Sequence, residues 1–339
     1  MNPKIAFLET TDHIDEIEKE IVPLAEKVVI SPKRLEDAVD EVKDFDIVST
    51  FINSTVDRRV LDKFSGLKLI VTRSTGYDHI DVDYANKLGI TVCNIPFYGE
   101  NTVAEHTFSL ILSLSRNVHR AYVRTQRKNF SLEGLIGFDL KGKTIGVVGA
   151  GHIGLYVVKM AKGFGMNVLA FDINQDDFIS EVLGFTYSGM NELLENSDII
   201  SLHAPYNQKT HHMINRKNIS LIKPGALLIN TARGALVDTE AMIWALEEGI
   251  LSGVGLDVLE GEALIEEELE VLSSASKETL ATLIRDHTLL NREDVVITPH
   301  IAFYSKEAVE RIWETTFCDI LAFLKGEAIN SVSIKKKAA

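Results

Sequence analysis

The stretch Thr144–Gly154, TIGVVGAGHIG, constrains this chain more than any other. An apolar run rich in β-branched residues leads directly into Gly149-Ala-Gly151-His-Ile-Gly154, and the following LYVVKMAKGFG spaces its apolar residues as a helix does. Strand, glycine turn and helix in that order form the opening of a dinucleotide-binding unit. Gly149 permits the tight turn, Gly151 lets a pyrophosphate reach the backbone, and Gly154 allows the helix to pack close to its strand. The helix N-terminus then presents N–H groups and a positive dipole end to phosphate. The next strand-like run, NVLAFD, ends in Asp172, which lies 172 − 154 = 18 residues past the last glycine. That is near the roughly 20-residue spacing of a carboxylate that holds the adenosine ribose hydroxyls. Asp172 repels a 2′-phosphate, and no Arg or Lys lies within Ile173–Asp177 to offset it, so NAD is expected rather than NADP.

Around this motif, short β-rich runs alternate with amphipathic helical ones along most of the chain. KIAFLE, VVI, DIVSTF, LKLIVTRST and ITVCNIP are the strand candidates before residue 97. The helix candidates between them are HIDEIEKEIVPLAEK, PKRLEDAVDEV, DRRVLDKF and VDYANKLG. Such alternation predicts α/β architecture with two doubly wound parallel sheets, one before the glycine motif and one containing it. In the second half the expected elements are helices over MNELLENS, NRKNISLI and DTEAMIWALEEG and strands over DIISLHAP, ALLINTA, SGVGLDV and DVVITPH. Asn101–Arg116 reads as a long, mostly buried helix with Asn101 or Thr102 near its cap, linking the two domains. Tyr122–Leu140 is expected to be irregular, an arm for a dimer partner, and Glu262–Arg292 to be an acidic, helical insertion. The amphipathic helix Lys306–Lys325 is expected to return to the first domain. That gives a substrate domain of residues 1–100 plus 301–339 and a nucleotide domain of 101–300. The basic tail Lys335–Lys337 is expected to fray.

At 339 residues the chain suffices for two cores. Its net charge of −14 argues against nucleic-acid partners and requires the site to supply its own cations for an anionic substrate. Cys93 and Cys318 alone do not make a disulfide framework. The N-terminus lacks a signal-peptide layout, and no apolar run approaches the roughly 20 residues of a membrane helix. A cytoplasmic protein with no membrane partner is the expectation.

Three residues past strand ends suit hydride transfer at a carbon bearing oxygen: Arg233 after LLINTA, Glu262 after GLDVLEG, and His300 after VVITP. If those strands are neighbours, their ends converge. An imidazole with an ordinary pKa near 6.5 exchanges the alcohol proton near neutral pH. A carboxylate on its other ring nitrogen fixes the tautomer, and an arginine fork holds a substrate carboxylate. The turn Ser74–Tyr77 either receives a carboxylate on its N–H groups or is a plain turn. Phe51 is either an aromatic wall to a small alkyl group or core. His203 ends a strand near the expected cofactor; His79, His106, His119, His211 and His212 are read as structural, and no metal site is expected.

In order along the chain, STGYDHID (74–81), NTVAEH (101–106), GAGHIG (149–154), LHAP (202–205), INTARGALVD (229–238), GLDVLEGE (255–262) and TPHIAFYS (298–305) resemble the D-isomer-specific 2-hydroxyacid dehydrogenases. The resemblance covers essentially the whole chain. The DVxEGE and PHxAFY forms, Tyr98 in PFYGEN and the insertion before TPH are most similar to the D-lactate dehydrogenase branch, although Leu259 replaces an aromatic residue usual there. Ala263, where many relatives carry proline, also favours that branch over the glycerate and glyoxylate enzymes. The family implies a Rossmann NAD-binding domain and a flavodoxin-like substrate domain with the cleft between them, and a homodimer joined through the NAD-binding domains. It implies Arg233 as substrate-binding arginine, Glu262 as partner carboxylate and His300 as acid/base, with Thr75, Gly76 and Tyr98 at the substrate. For NAD it implies Gly149, Gly151, His152, Ile153, Gly154, Asp172, Ala204, Pro205, Thr210, Thr231, Ala232, Arg233, Asp257 and His300. The expected reaction is reduction of pyruvate to D-lactate. Its rivals are the same chemistry on glyoxylate, hydroxypyruvate or a larger 2-keto acid, and, from another class, a nucleotide-sensing corepressor.

Overall fold

Valine and isoleucine dominate the strands because both faces of a parallel sheet are buried under helices. In a computed structural model, which describes residues 2–262 and 277–332, the chain divides into two compact units, Met1–Tyr98 with Ser305–Ala339, and Gly99–Tyr304. The first unit holds β1 (Lys4–Leu8), β2 (Lys27–Ser31), β3 (Ile47–Thr50), β4 (Leu69–Thr72) and β5 (Thr91–Cys93). All are parallel in the order β2-β1-β3-β4-β5, the flavodoxin-like winding. Ile5, Phe7, Ile47, Leu69 and Ile70 are fully buried in its core.

The C-terminal helix Lys306–Leu324 belongs to this unit. Its Trp313 ring lies 5.9 Å from Phe7 and 5.0 Å from the guanidinium of Arg73. Arg73 is itself buried, donating to Ser49 Oγ and to the carbonyls of Leu8 and Glu9. Residues 330–332 run beside the end of β5, Val332 N donating to Val92 O and Asn94 N to Asn330 O.

The second unit holds β6 (Thr144–Val148), β7 (Asn167–Phe171), β8 (Thr186–Tyr187), β9 (Ile199–Leu202), β10 (Ala226–Asn230), β11 (Leu251–Leu256) and β12 (Val295–Ile297). They form one parallel sheet, β12-β11-β10-β9-β6-β7-β8. The strand order reverses between β6 and β9, so their carboxyl ends frame the topological switch point of a Rossmann sheet. Two apolar layers cover its faces, one centred on Ile145, Val157 and Ile199 and the other on Ile200, Leu228 and Leu246.

Several local expectations change. NRKNISLI is no α-helix; only a 3-10 turn forms at Ile219–Leu221. Asn215 and Asn218 cause this by bonding backbone groups in competition with the helix, Asn215 Nδ2 to His212 O and Asn218 Nδ2 to Met213 O. The helix Glu100–Ser115 is capped by Gly99 rather than by Asn101 or Thr102, and Asn101 instead donates to Glu105 along the helix. The helix Val118–Gln126 takes in residues 122–126 of the expected arm, and the irregular segment begins after them. The helix Asp177–Leu183 and strand β8 escape the sequence reading. Of the acidic insertion, Lys277–Leu290 is helical while 263–276 lies outside the described residues, as does the tail Lys335–Lys337. No helix among the described residues is long and apolar enough to cross a membrane.

Candidate active site

The glycine turn after β6 sits at the switch point. Gly149 has φ +98°, and a Cβ there would meet Ala204 N at 2.7 Å, so only glycine lets the two strand ends approach. A Cβ on Gly154 would collide with the Gly149 carbonyl, which is how the helix His152–Gly163 comes to lie on its own turn. At Gly151, by contrast, a Cβ would meet no protein atom within 4 Å. The exposed face of Gly151 therefore looks into open space at the helix N-terminus. The first intrahelical bond, Leu155 N to Gly151 O, leaves the amides of His152, Ile153 and Gly154 pointing out of the first turn. An open glycine beside outward amides and a positive dipole end fits a pyrophosphate. Asp172 directly follows β7, accepting from Ala150 N at 2.7 Å and from Asn174 N at 2.8 Å, so one carboxylate holds both the glycine turn and its own loop.

Residues at the end of β9 close the other side. His203 bonds Ser201 Oγ through Nε2 at 2.7 Å, and burial pushes its pKa down to about 3, so it is a neutral, structurally engaged ring. Ala204 is buried against the glycine turn. Thr210 Oγ1 donates to Pro205 O and accepts from Asn207 N, folding the loop that follows.

Strands β10, β11 and β12 are adjacent, so the three reactive candidates stand on neighbouring strand ends. After β10, Asn230 folds the loop from within: its Oδ1 accepts from Ala232 N and its Nδ2 donates to Arg233 O. Arg233 Nη1 donates to Ala232 O at 2.8 Å. A Cβ on Gly234 would run into the backbone of Leu259 and Glu260, so the β10 and β11 loops lie directly against each other. After β11, Asp257 is 1% exposed, and its carboxylate receives Thr298 Oγ1 at 2.5 Å, Ile301 N at 2.9 Å and Ala302 N at 2.8 Å. Its carbonyl accepts from His300 N at 2.9 Å. Asp257 thus clasps the turn that carries His300.

From that turn His300 Nδ1 reaches Glu262 Oε1 at 2.9 Å, with the imidazole 22% and the carboxylate 35% exposed. An acceptor-only carboxylate on Nδ1 keeps a hydrogen on that nitrogen, so the ring's exchangeable position is Nε2. Sequence spacing gave no signal of the clasp by Asp257. It also missed the bond of His212 Nε2 to Glu260 Oε1 at 2.5 Å, which ties the loop after β9 to that after β11.

In the other unit, the turn after β4 is built by its own side chains. Ser74 Oγ donates to Gly76 O, Thr75 Oγ1 to Ile95 O, and Asn94 Nδ2 to Thr75 O. Tyr98 is half-buried, and its carbonyl accepts from Arg311 Nε at 2.6 Å. His79 bonds Thr72, and in the nucleotide unit His119 bonds two backbone carbonyls, of Ser113 and Glu293.

Comparison with known proteins agrees with this geometry. The family profile for the NAD binding domain of D-isomer specific 2-hydroxyacid dehydrogenases matches residues 108–302. A 2-hydroxyacid dehydrogenase homolog of Haemophilus influenzae is 37% identical over 289 residues, covering 85% of each protein. An aromatic 2-oxoacid reductase of Clostridium sporogenes is 39% identical over 292 residues, covering 85% of this chain and 86% of that protein. Among solved structures, D-lactate dehydrogenase from Aquifex aeolicus, complexed with NAD and lactic acid, superposes with a TM-score of 0.89 at 37% identity. That match covers 98% of this chain and 100% of the other. With its Rossmann switch point, its open glycine turn at a helix N-terminus and this likeness along nearly all its length, the chain belongs to the D-isomer-specific 2-hydroxyacid dehydrogenase family.

Proposed function

We propose that this chain is a D-lactate dehydrogenase that reduces pyruvate with NADH. The observation that carries the reading is the 2.9 Å bond between His300 Nδ1 and Glu262 Oε1 at the ends of adjacent strands. NADH, when bound, supplies the hydride that becomes the new C–H bond at the keto carbon. His300 gives the Nε2 proton to the keto oxygen as that oxygen gains charge, and Glu262 holds the Nδ1 side and stabilises the imidazolium beforehand. Arg233 pairs with the substrate carboxylate and polarises the carbonyl, and the amides of Thr75 and Gly76 together with Tyr98 bind substrate as well. The amides at His152 and Ile153 would hold the NADH pyrophosphate, Asp172 would hold the ribose hydroxyls, and Ala204, Pro205, Thr210, Thr231, Ala232 and Asp257 would line the rest of the site.

A second reading is the same chemistry on a larger 2-keto acid, favoured by Leu259 in place of an aromatic residue and by the likeness to an aromatic 2-oxoacid reductase. Comparing kcat/KM for pyruvate, glyoxylate, hydroxypyruvate and phenylpyruvate with NADH decides between them. A preference for pyruvate supports the first reading and a preference for phenylpyruvate the second. No NADH oxidation with any of them overturns both and favours a nucleotide-sensing protein. We also propose a cytoplasmic homodimer joined through the nucleotide unit. Phe130, Leu132 and Ile136 support the dimer, being 78%, 83% and 94% exposed on one irregular segment; sedimentation of the purified protein tests it.

A further inference from the structure

The helix Glu100–Ser115 carries none of the residues assigned to the reaction, yet two consecutive side chains on it touch two of the reactive loops. His106 Nε2 lies 2.9 Å from Thr298 Oγ1 and 3.4 Å from Asp257 Oδ1. Thr107 Oγ1 lies 3.0 Å from Thr231 Oγ1. Successive helical residues point about 100° apart, so one turn of helix reaches both the loop after β12 and the loop after β10.

Counting hydrogens orients both links. Thr298 has one hydroxyl hydrogen and spends it on the Asp257 carboxylate, which only accepts. His106 must therefore carry its hydrogen on Nε2 and donate to the threonine oxygen. On the neighbouring residue, Thr107 donates to Val103 O at 2.9 Å, so its oxygen is the acceptor and Thr231 the donor. Thr107 and Asp257 are both fully or almost fully buried, where an unmade bond is costly.

We propose that His106 and Thr107 are positioning residues, His106 aligning His300 through Thr298 and Asp257, and Thr107 aligning Arg233 through Thr231. The proposal rests on the assignment of His300 and Arg233 to 2-keto acid reduction. Asp257 converts a tie at Thr298 into the placement of His300, because the same carboxylate holds Ile301 and Ala302 on the far side of that turn. Thr231 opens the loop whose third residue is Arg233, so its tie acts on the substrate carboxylate rather than on proton transfer. The two links therefore have separable kinetic signatures.

His106→Leu is expected to lower kcat about tenfold with KM for the keto acid within about twofold, as one lost donor to a buried network predicts. His106→Gln, which keeps an amide donor, is expected to restore most of that loss. Thr107→Val is expected to raise KM several-fold with kcat little changed, and Thr107→Ser to restore it. Wild-type kinetics in both His106→Leu and Thr107→Val would overturn the proposal. So would equal losses in kcat and KM for the two, or a His106→Gln variant no better than His106→Leu. A readout independent of turnover is the ¹⁵N resonances of the His300 ring at fixed pH, expected to move in His106→Leu and to stay in Thr107→Val. If wild-type enzyme reduces no 2-keto acid but those resonances still move, the reaction assignment fails while the alignment by His106 stands. If wild-type enzyme is active and neither resonances nor kinetics change, the alignment fails alone.

Discussion

His300 meets Glu262 from a left-handed backbone: its φ is +52°, and its Nδ1 lies 2.9 Å from Glu262 Oε1. A β-carbon in that region costs about 1–2 kcal/mol. The surrounding bonds to Asp257, made by His300 N, Thr298, Ile301 and Ala302, hold the turn against that cost. The strain sits on the residue whose direction matters, with the rigid β11 end as its anchor.

Removing either member of the pair separates direction from charge. His300→Gln is expected to lower kcat by roughly 100- to 10,000-fold, the usual contribution of general acid catalysis, with NADH affinity nearly intact. Glu262→Gln keeps an oxygen that accepts from Nδ1 but loses the charge, so a fall of roughly 10- to 100-fold is expected. Steady-state kinetics with pyruvate, together with NADH fluorescence titration, measure both. An unchanged kcat in His300→Gln would refute its role, and a Glu262→Gln variant as inactive as His300→Gln would mean that charge and orientation are inseparable here.

Gly151→Ala tests the pyrophosphate cradle without disturbing the fold. Its φ of −76° suits alanine, and the added Cβ meets no protein atom within 4 Å. Thermal stability should stay within about 1 kcal/mol of wild type, as for a surface substitution, while NADH affinity falls at least tenfold because the methyl occupies the space beside the helix N-terminus. Calorimetric titration with NADH gives the answer. Unaltered affinity would remove Gly151 from the cofactor site.

Asp172 holds the glycine turn, and two variants test whether it also holds the ribose. Its carboxylate bonds Ala150 N and Asn174 N and is the ribose ligand expected of a strand-end acid. Asp172→Ala should weaken NADH binding by loosening the glycine turn as well as by losing the ribose contact. Asp172→Asn retains an acceptor for the turn and should lose less. Both remove the repulsion against a 2′-phosphate, so the ratio of kcat/KM with NADPH to that with NADH should rise in each. A ratio equal to wild type in both variants would show that discrimination lies elsewhere.

Elements whose signal is local are legible in the sequence. The β-branched runs form β1 to β7 and β9 to β12, and Gly149 and Gly154 stand where a Cβ would collide with backbone, Gly151 where it would meet open space. The condition on Arg233, Glu262 and His300, that their strands be neighbours, is met by the sheet order. What stayed hidden was non-local. The His106–Thr298 bond spans 192 residues and that of Asp257 with Ala302 spans 45, and nothing in the spacing of either announces a partner. Two further signals are local. Asp176 accepting from Ile179 N and left-handed Gly184 bracket the helix Asp177–Leu183, and Asn215 and Asn218 prefer turns to a helix interior.

Asp319 gives a prediction for how stability depends on pH. It lies 1% exposed on the C-terminal helix; Oδ1 accepts from Asn330 Nδ2 at 2.9 Å, and Oδ2 has no partner among the described residues. Burial raises its pKa from 3.8 to about 6. Cys93 beside it stays a neutral thiol, its pKa pushed up to about 12, chiefly by burial and further by Asp319, so it adds no second negative charge. Between about pH 4 and pH 6 the folded state keeps a proton that the unfolded chain has released. Stability therefore falls as pH rises through that window, and the penalty is complete above it. A shift of about 2 units sets an upper bound of roughly 3 kcal/mol. Asp319→Asn cannot ionise and still offers Oδ1 to Asn330. Its melting temperature should exceed wild type by several degrees at pH 8 and match it closely at pH 4, as followed by circular dichroism at both pH values. An equal change at the two pH values would show that the buried charge is not the cause.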